Sequence, residues 1–158
     1  MKSNLISKSE TAQILLQINS QWKIQLPKLK NVKFHYVDGK GIIITGTGFT
    51  AVKIGEDILP FLDDTQTLEK FPNVVVDMGA IKFVCKGANV MRPGILKFSD
   101  FESGEIVCVT EESHHKFLSV GKAKISSEEI KKTEKGEVLK NLHYISDDFW
   151  EVKKEIKY

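Results

Sequence analysis

Gly46-Thr47-Gly48-Phe49-Thr50-Ala51 fits the spacing G-x-G-x-x-G/A, with which a glycine turn and a helix N-terminus cradle a pyrophosphate. That chemistry needs a long helix directly afterwards, and this chain supplies β-branched Val52 and Ile54, then Gly55 and Pro60. The segment reads instead as a glycine-rich hairpin turn. The histidines are His35, His114, His115 and His143 and the cysteines Cys85 and Cys108, and no pair among them has zinc-ligand spacing. His114-His115 reads as a solvated loop. No nucleophile elbow, phosphate-binding P-loop or H-E-x-x-H helix is present, so no catalytic residue, metal ligand or cofactor is assigned and the chain reads as a non-enzyme.

The stretch that stands out is 78–99. It holds no acidic side chain, while Lys82, Lys86, Arg92 and Lys97 contribute four positive charges. Arg92 is the only arginine in the chain. Cations beside Gly87-Ala88 and Pro93-Gly94 would let a phosphate backbone approach closely and meet both side chains and backbone N–H groups. On charge alone, a solvated helix face explains the cluster at least as well.

The 158 residues allow one large domain or two small ones. Hydrophobic residues at 41% and charged residues at 28% are those of a globular chain rather than a disordered one. A net charge of +2 excludes bulk attraction to a polyanion, so any such partner must be met by a local patch. Both cysteines lie in apolar surroundings and read as reduced core residues, which points to the cytoplasm. The N-terminus lacks the apolar run of a signal peptide, and no run is long enough to span a bilayer.

Ser7 with Glu10 forms a capping-box pattern, and Ile14, Leu15, Ile18 and Trp22 follow at helical spacing, so a helix opens the chain. Residues 32–37 and 42–44 flank Asp38-Gly39-Lys40-Gly41 as a hairpin, and 50–54 adds a strand. Between Asp57 and Phe71 the pattern predicts one or two short helices, the first broken by Pro60 and the second stopped by Pro72. The domain boundary is placed at Pro72, giving domains 1–72 and 73–158. Val74-Val75-Val76 reads as a buried strand, after which Asp77 caps a short helix with Ile81, Val84, Cys85 and Ala88 towards the core and Lys82 and Lys86 outward. Strands follow at 90–98, bent at Pro93-Gly94, at 105–110, 117–125 and 138–145, with a polar loop at 111–115. Ser126 and Glu129 cap a helix carrying a Glu128–Lys132 pair. Met91 and Val90 read as core, and Phe149 and Trp150 as packing. The fold class is α+β: a small N-terminal domain of helix, hairpin and short helices, then a compact mixed sheet or pseudo-barrel.

The run Val76-Asp77-Met78-Gly79-Ala80-Ile81-Lys82-Phe83-Val84-Cys85-Lys86-Gly87-Ala88-Asn89-Val90-Met91-Arg92-Pro93-Gly94-Ile95 resembles the signature of the PUA domain. Val120-Gly121, Ser126-Ser127-Glu128-Glu129 and His143-Tyr144-Ile145-Ser146-Asp147-Asp148-Phe149-Trp150 match the rest of that module in order. The ending and the N-terminal domain are similar to the branch that holds the malignant T-cell-amplified-sequence protein, half of the initiation factor ligatin, and short archaeal relatives. The resemblance is dense over 74–150 and thin over 1–72.

It implies a PUA pseudo-barrel that binds structured RNA, without a cofactor, and work with tRNA or rRNA on the small ribosomal subunit in initiation or recycling. A translation factor is a further implied partner; a membrane is not. By this resemblance the RNA-binding positions are Gly79, Ala80, Lys82, Lys86, Gly87, Arg92, Pro93, Gly94 and Lys97, with His143 and Tyr144. Lys82, Lys86 and Lys97 would neutralise phosphates, and Arg92 would grip a phosphate or a guanine edge bidentately. Tyr144 either stacks on a base or fills the barrel. The competing reading is an accessory RNA-binding subunit of a tRNA- or rRNA-modifying enzyme, and a third makes the N-terminal half a protein-binding adaptor anchored on exposed Trp22 or Phe34.

Overall fold

Short consecutive strands give the N-terminal half a sheet whose inner strands are buried over consecutive residues, and a helix packs on it. In the computed structural model, which describes residues 1–157, Lys2–Leu5 (β1), Lys33–Val37 (β2), Gly41–Gly46 (β3), Phe49–Ile54 (β4) and Asp57–Pro60 (β5) form an antiparallel sheet in that order. Lys8–Gln21 (α1) begins on a reciprocal capping box: Ser7 Oγ accepts from the Glu10 N–H and Glu10 Oε1 from the Ser7 N–H. Its Ile14 and Ile18, with Trp22 just beyond, are buried. The Trp22 indole N–H donates to the Ile58 carbonyl at 2.7 Å, and its ring meets Phe49 and Phe71. Trp22 is therefore core, and the adaptor reading loses that anchor. Phe34 is half-buried against Tyr36.

Residues 57–60 are a strand, not a helix broken by Pro60. Gly55, at φ +59°, turns the chain back after β4 so that Ile54 pairs with Asp57 and Ala51 with Pro60. On this outermost strand a residue without an N–H costs no ladder bond. The helix of the region is Thr65–Leu68 (α2), capped by Asp64. Strand β1 is a further addition, because its four exposed residues carry no apolar alternation. The Gly46–Gly48 segment is the β3–β4 hairpin turn, with Gly48 at φ +68°.

The second sheet joins Asn73–Val76 (β6), Val90–Met91 (β7), Ile95–Phe98 (β8), Ile106–Glu111 (β9), Phe117–Ala123 (β10) and Glu137–Tyr144 (β11) in the order β7-β11-β10-β9-β6-β8. Its β6–β9 pair is parallel and the others antiparallel, and it curls towards a barrel. Ile81–Val84 (α3), Ser127–Lys132 (α4) and Asp148–Lys153 (α5) lie between or after these strands. Gly121 sits where the β10–β11 register slips, and a Cβ there would lie 2.0 Å from the Lys140 carbonyl oxygen. The architecture is α+β with a near-barrel sheet.

The two sheets share their packing. Along β9, Ile106 and Cys108 belong to the N-terminal core while Val107 and Val109 face the core inside the near-barrel. A strand buried on both faces reads as a continuous apolar run, which is how this one appears in the sequence. Val120 and Phe149 also join the N-terminal core.

Several local expectations are corrected. Glu111 ends β9 and is buried rather than solvated; it accepts from the His114 and Ser113 groups, bonds that hold its carboxyl down to about 2. Glu128 pairs with Lys131, one turn-position earlier than Lys132. Ala88 is exposed because α3 ends at Val84, and Met91 is 46% exposed rather than core. Cys108 is buried, which pushes its thiol up to about 12, while Cys85 is half-buried. No helix among the described residues is long and apolar enough to cross a membrane.

His35 pins the outer strands: its Nδ1 meets Ser3 Oγ of β1 at 2.8 Å and its Nε2 meets Thr45 Oγ1 of β3 at 2.9 Å. Burial, assisted by Lys33 and Lys153, lowers its pKa below the ordinary 6.5. A base with a depressed folded pKa contributes stability that is complete above the unfolded value and is lost as the pH falls below it. Chemical denaturation at stepped pH should therefore show stability falling as the pH drops below 6.5, and His35→Gln should flatten that part of the profile.

Candidate nucleic-acid interface

Asp77 builds the first wall of the site. Its Oδ1 accepts from the Ala80 N–H at 3.0 Å, closing a 3-10 turn over Met78–Ala80 that leads into α3. Its own N–H donates to the Gly94 carbonyl at 3.0 Å, so this turn faces the Arg92–Gly94 bend. Between them runs an open groove of about 500 Å³. Val76, Val84 and Val90 are its buried floor, Phe83, Met91 and Pro93 its exposed rim, and Asp77, Asn89 and Glu137 its polar edge. Of the positions expected to touch RNA, Gly79, Ala80, Pro93 and Gly94 line this groove.

Lys82 and Lys86 stand exposed on α3 and the turn after it. Phe83 lies between them, 57% exposed, with Lys82 Nζ 5.2 Å from its ring centroid. Met78 and Met91 are 52% and 46% exposed nearby in the chain. An exposed aromatic beside cations and small residues can stack a base while phosphates meet the lysines. The sequence assigns Phe83 no role; its signal there is that an aromatic falls off the Ile81, Val84, Cys85 and Ala88 stripe of α3.

The loop after α3 is held from below. Gly87 adopts φ +94°, and a Cβ there would lie 3.0 Å from the Tyr144 ring, so only glycine lets the loop rest on that ring. Asn141 Nδ2 donates to the Val84 and Ala88 carbonyls at 3.0 Å each, and its backbone N–H donates to Asn89 Oδ1. The sequence assigns neither asparagine a role, because the last strand already mixes Glu137, Lys140 and His143 with its apolar residues, so one more polar side chain does not stand out.

Two of the residues expected to touch RNA are engaged within the fold. Arg92 turns inward: Nε donates to the Ile130 and Thr133 carbonyls at 3.0 Å, Nη1 to the Ile95 carbonyl at 3.3 Å, and the guanidinium lies 5.8 Å from the Phe98 ring. The C-terminus of α4 carries the negative end of the helix dipole, and the planar guanidinium meets its Ile130 and Thr133 carbonyls together. His143 has no exposed surface and cannot touch RNA. Its Nε2 accepts from the Leu62 N–H at 3.2 Å, so Nδ1 carries the proton towards Asp147 Oδ2 at 2.7 Å. Lys97 is exposed on the edge strand β8 but does not line the groove. Acidic groups that the linear count excluded also come close, since Glu112 accepts from the Met78 N–H and Glu137 pairs with Lys124. Among the described residues no cluster of His, Cys, Asp or Glu is placed to hold a metal ion.

Residues 72–145 match the family model described as the PUA domain. An uncharacterised protein of Methanocaldococcus jannaschii is 37% identical over 132 residues, covering 81% of this chain and 80% of its own. Malignant T-cell-amplified sequence 2 of Homo sapiens is 40% identical over 102 residues, 60% of this chain and 56% of the relative. Translation machinery-associated protein 20 of Schizosaccharomyces pombe is 39% identical over 87 residues, 52% of this chain and 48% of the relative. The match thus spans about half the length of these eukaryotic relatives. The crystal structure of a hypothetical protein from Pyrococcus horikoshii OT3 superposes with a TM-score of 0.79 at 26% identity, covering 96% of this chain and 99% of that one. A chain of an H/ACA ribonucleoprotein bound to a substrate RNA shares the fold over 60% of this chain and 29% of that one, with a TM-score of 0.50 at 24% identity.

Arg92→Lys removes the fork that serves three carbonyls, and urea denaturation should show a loss of about 1–3 kcal/mol. The folded variant should keep its affinity for tRNA; a weakened affinity without lost stability would return Arg92 to the RNA surface. His143→Ala leaves the Leu62 N–H and Asp147 without their partner and opens a cavity, and should cost about 3 kcal/mol or more.

Proposed function

The chain belongs to the PUA-domain family, and from that premise we propose that it is a non-enzymatic RNA-binding protein of translation. The RNA is tRNA or ribosomal RNA, met on the small ribosomal subunit during initiation or recycling. The observation that carries this reading is exposed Phe83, flanked by Lys82 and Lys86 at the lip of the Asp77–Gly94 groove. Lys82 and Lys86 neutralise phosphates, Phe83 stacks a base, and Gly79, Ala80, Pro93 and Gly94 let the backbone come close. Gly87 and Tyr144 set the height of the loop, and Lys97 extends the contact along β8. Residues 73–158 form the RNA-binding domain and 1–72 a second domain packed against it, in a cytoplasmic protein. The name of the yeast relative, which associates that protein with the translation machinery, supports the translational setting.

Filter binding of tRNA across a salt series tests the surface. Lys82→Ala with Lys86→Ala should lower the slope of log affinity against log salt by about 1.5, and Phe83→Ala should cost about 1–3 kcal/mol with little change in slope. Unchanged affinity and slope in all three positions would remove this surface. Affinity purification from cells separates the roles: ribosomal subunits are expected, and a tRNA- or rRNA-modifying enzyme in their place would favour the accessory-subunit reading.

A further inference from the structure

The N-terminal half carries a second acid-free stretch that the RNA-binding reading does not use. Residues 11–37 contain no Asp or Glu and four lysines, Lys23, Lys28, Lys30 and Lys33. Lys8, Lys28 and Lys30 come together at the rim of a groove of about 650 Å³ between α1, the end of β1 and the segment before β2. Among the described residues, none of Lys2, Lys8, Lys28, Lys30 or Lys33 is in an ion pair, while Lys23, Lys40, Lys122, Lys124, Lys131, Lys153 and Lys154 each have a carboxylate partner.

The floor of this groove is aliphatic. Ile6, Leu29 and Val32 are buried beneath it, and Leu5, 63% exposed, stands at its edge. On α1, Lys8, Ala12 and Leu15 form a stripe at i, i+4 and i+7 beside the buried Ile14–Ile18 stripe, with no element of the described residues laid over it. The groove also abuts β1, which among the described residues is an edge strand paired with β2. Among the described residues no aromatic ring lines it, so these offer a base nothing to stack on, whereas aliphatic or aromatic side chains of a peptide would bury against its floor. Three unpaired ammonium groups on an aliphatic trough complement a segment that interleaves acidic with apolar residues.

We propose that this face docks an acidic, apolar segment of a partner protein, on the side of the molecule built from α1 and β1 and independently of the RNA groove. The partner's Leu, Ile or Phe side chains fill the trough, and its Asp or Glu carboxylates meet Lys8, Lys28 and Lys30. Leu5 and Lys28/Lys30, rather than Trp22, are the anchors.

The test is selection of a phage-displayed library of random dodecapeptides on the full chain, followed by fluorescence anisotropy with the synthesised winners. Enriched sequences should interleave Asp or Glu with Leu, Ile or Phe, bind more weakly as salt rises, and perturb amide NMR signals of residues 5–15 and 28–32. Lys28→Glu with Lys30→Glu, and separately Leu5→Asp, should each weaken them about tenfold. All three side chains are exposed or edge-lying, so circular dichroism should report an unchanged fold. Winners with no acidic–apolar character, or binding indifferent to these substitutions, would overturn the proposal. So would weakened tRNA binding by the same variants, which would make the face an RNA surface, or self-association through it, seen by sedimentation and abolished by Leu5→Asp.

Discussion

With the Leu62 N–H donating to His143 Nε2 and His143 Nδ1 held on Asp147, the end of β11 cannot slide past the segment after β5 without stranding buried polar groups. Asp147 does more than orient the imidazole. The same carboxylate accepts from the Tyr144 N–H at 3.0 Å and, through its other oxygen, from the Trp150 N–H at 2.7 Å, capping α5. Tyr144 is thereby fixed, and Gly87 rests on its ring. The line from the N-terminal core to the lip of the groove is therefore continuous: Leu62, His143, Asp147, Tyr144, Gly87. A buried polar group that looks available for recognition in a linear motif is here the joint on which the recognition loop is built.

The groove gains its character from a division of labour among cations. The one arginine, with donors in a fixed plane, is spent on the carbonyls of β8 and the end of α4, where fixed geometry matters. The lysines that remain outside, Lys82 and Lys86, are point charges on flexible stems, suited to a phosphate backbone whose position varies. Carboxylates at Asp77, Glu112 and Glu137 keep the surroundings from becoming a general polyanion trap. Such a surface favours a ligand that offers a base to Phe83 as well as charge.

Much of this was legible in the residues. Capping boxes announced α1 and α4, Gly39 and Gly48 marked the hairpins, and the Pro93-Gly94 pair marked the bend, because each carries a local geometric requirement. Strand β5 is not legible there, because Pro60 reads as a helix breaker in sequence and has almost no such meaning at a sheet edge. Strand β1 is equally silent, because an exposed edge strand has no alternation to read. Within the site, the outward lysines follow from helical spacing and the small residues lining the groove from the family motif, whereas the inward turn of Arg92 depends on carbonyls near residues 130–133 that no local pattern connects to it. Burial of His143 likewise depends on Leu62, 81 positions away. Long-range hydrogen bonds decided the roles that spacing left open.

The central claim is that RNA lies across the lip formed by Phe83 and the Asp77–Gly94 groove. Ultraviolet crosslinking in cells, with mass spectrometry of the adducted peptides and sequencing of the attached RNA, tests it most directly. The account predicts adducts within residues 78–94, Phe83 foremost, carrying tRNA or small-subunit ribosomal RNA. Adducts confined to other surfaces, or a protein that carries no RNA, would contradict it.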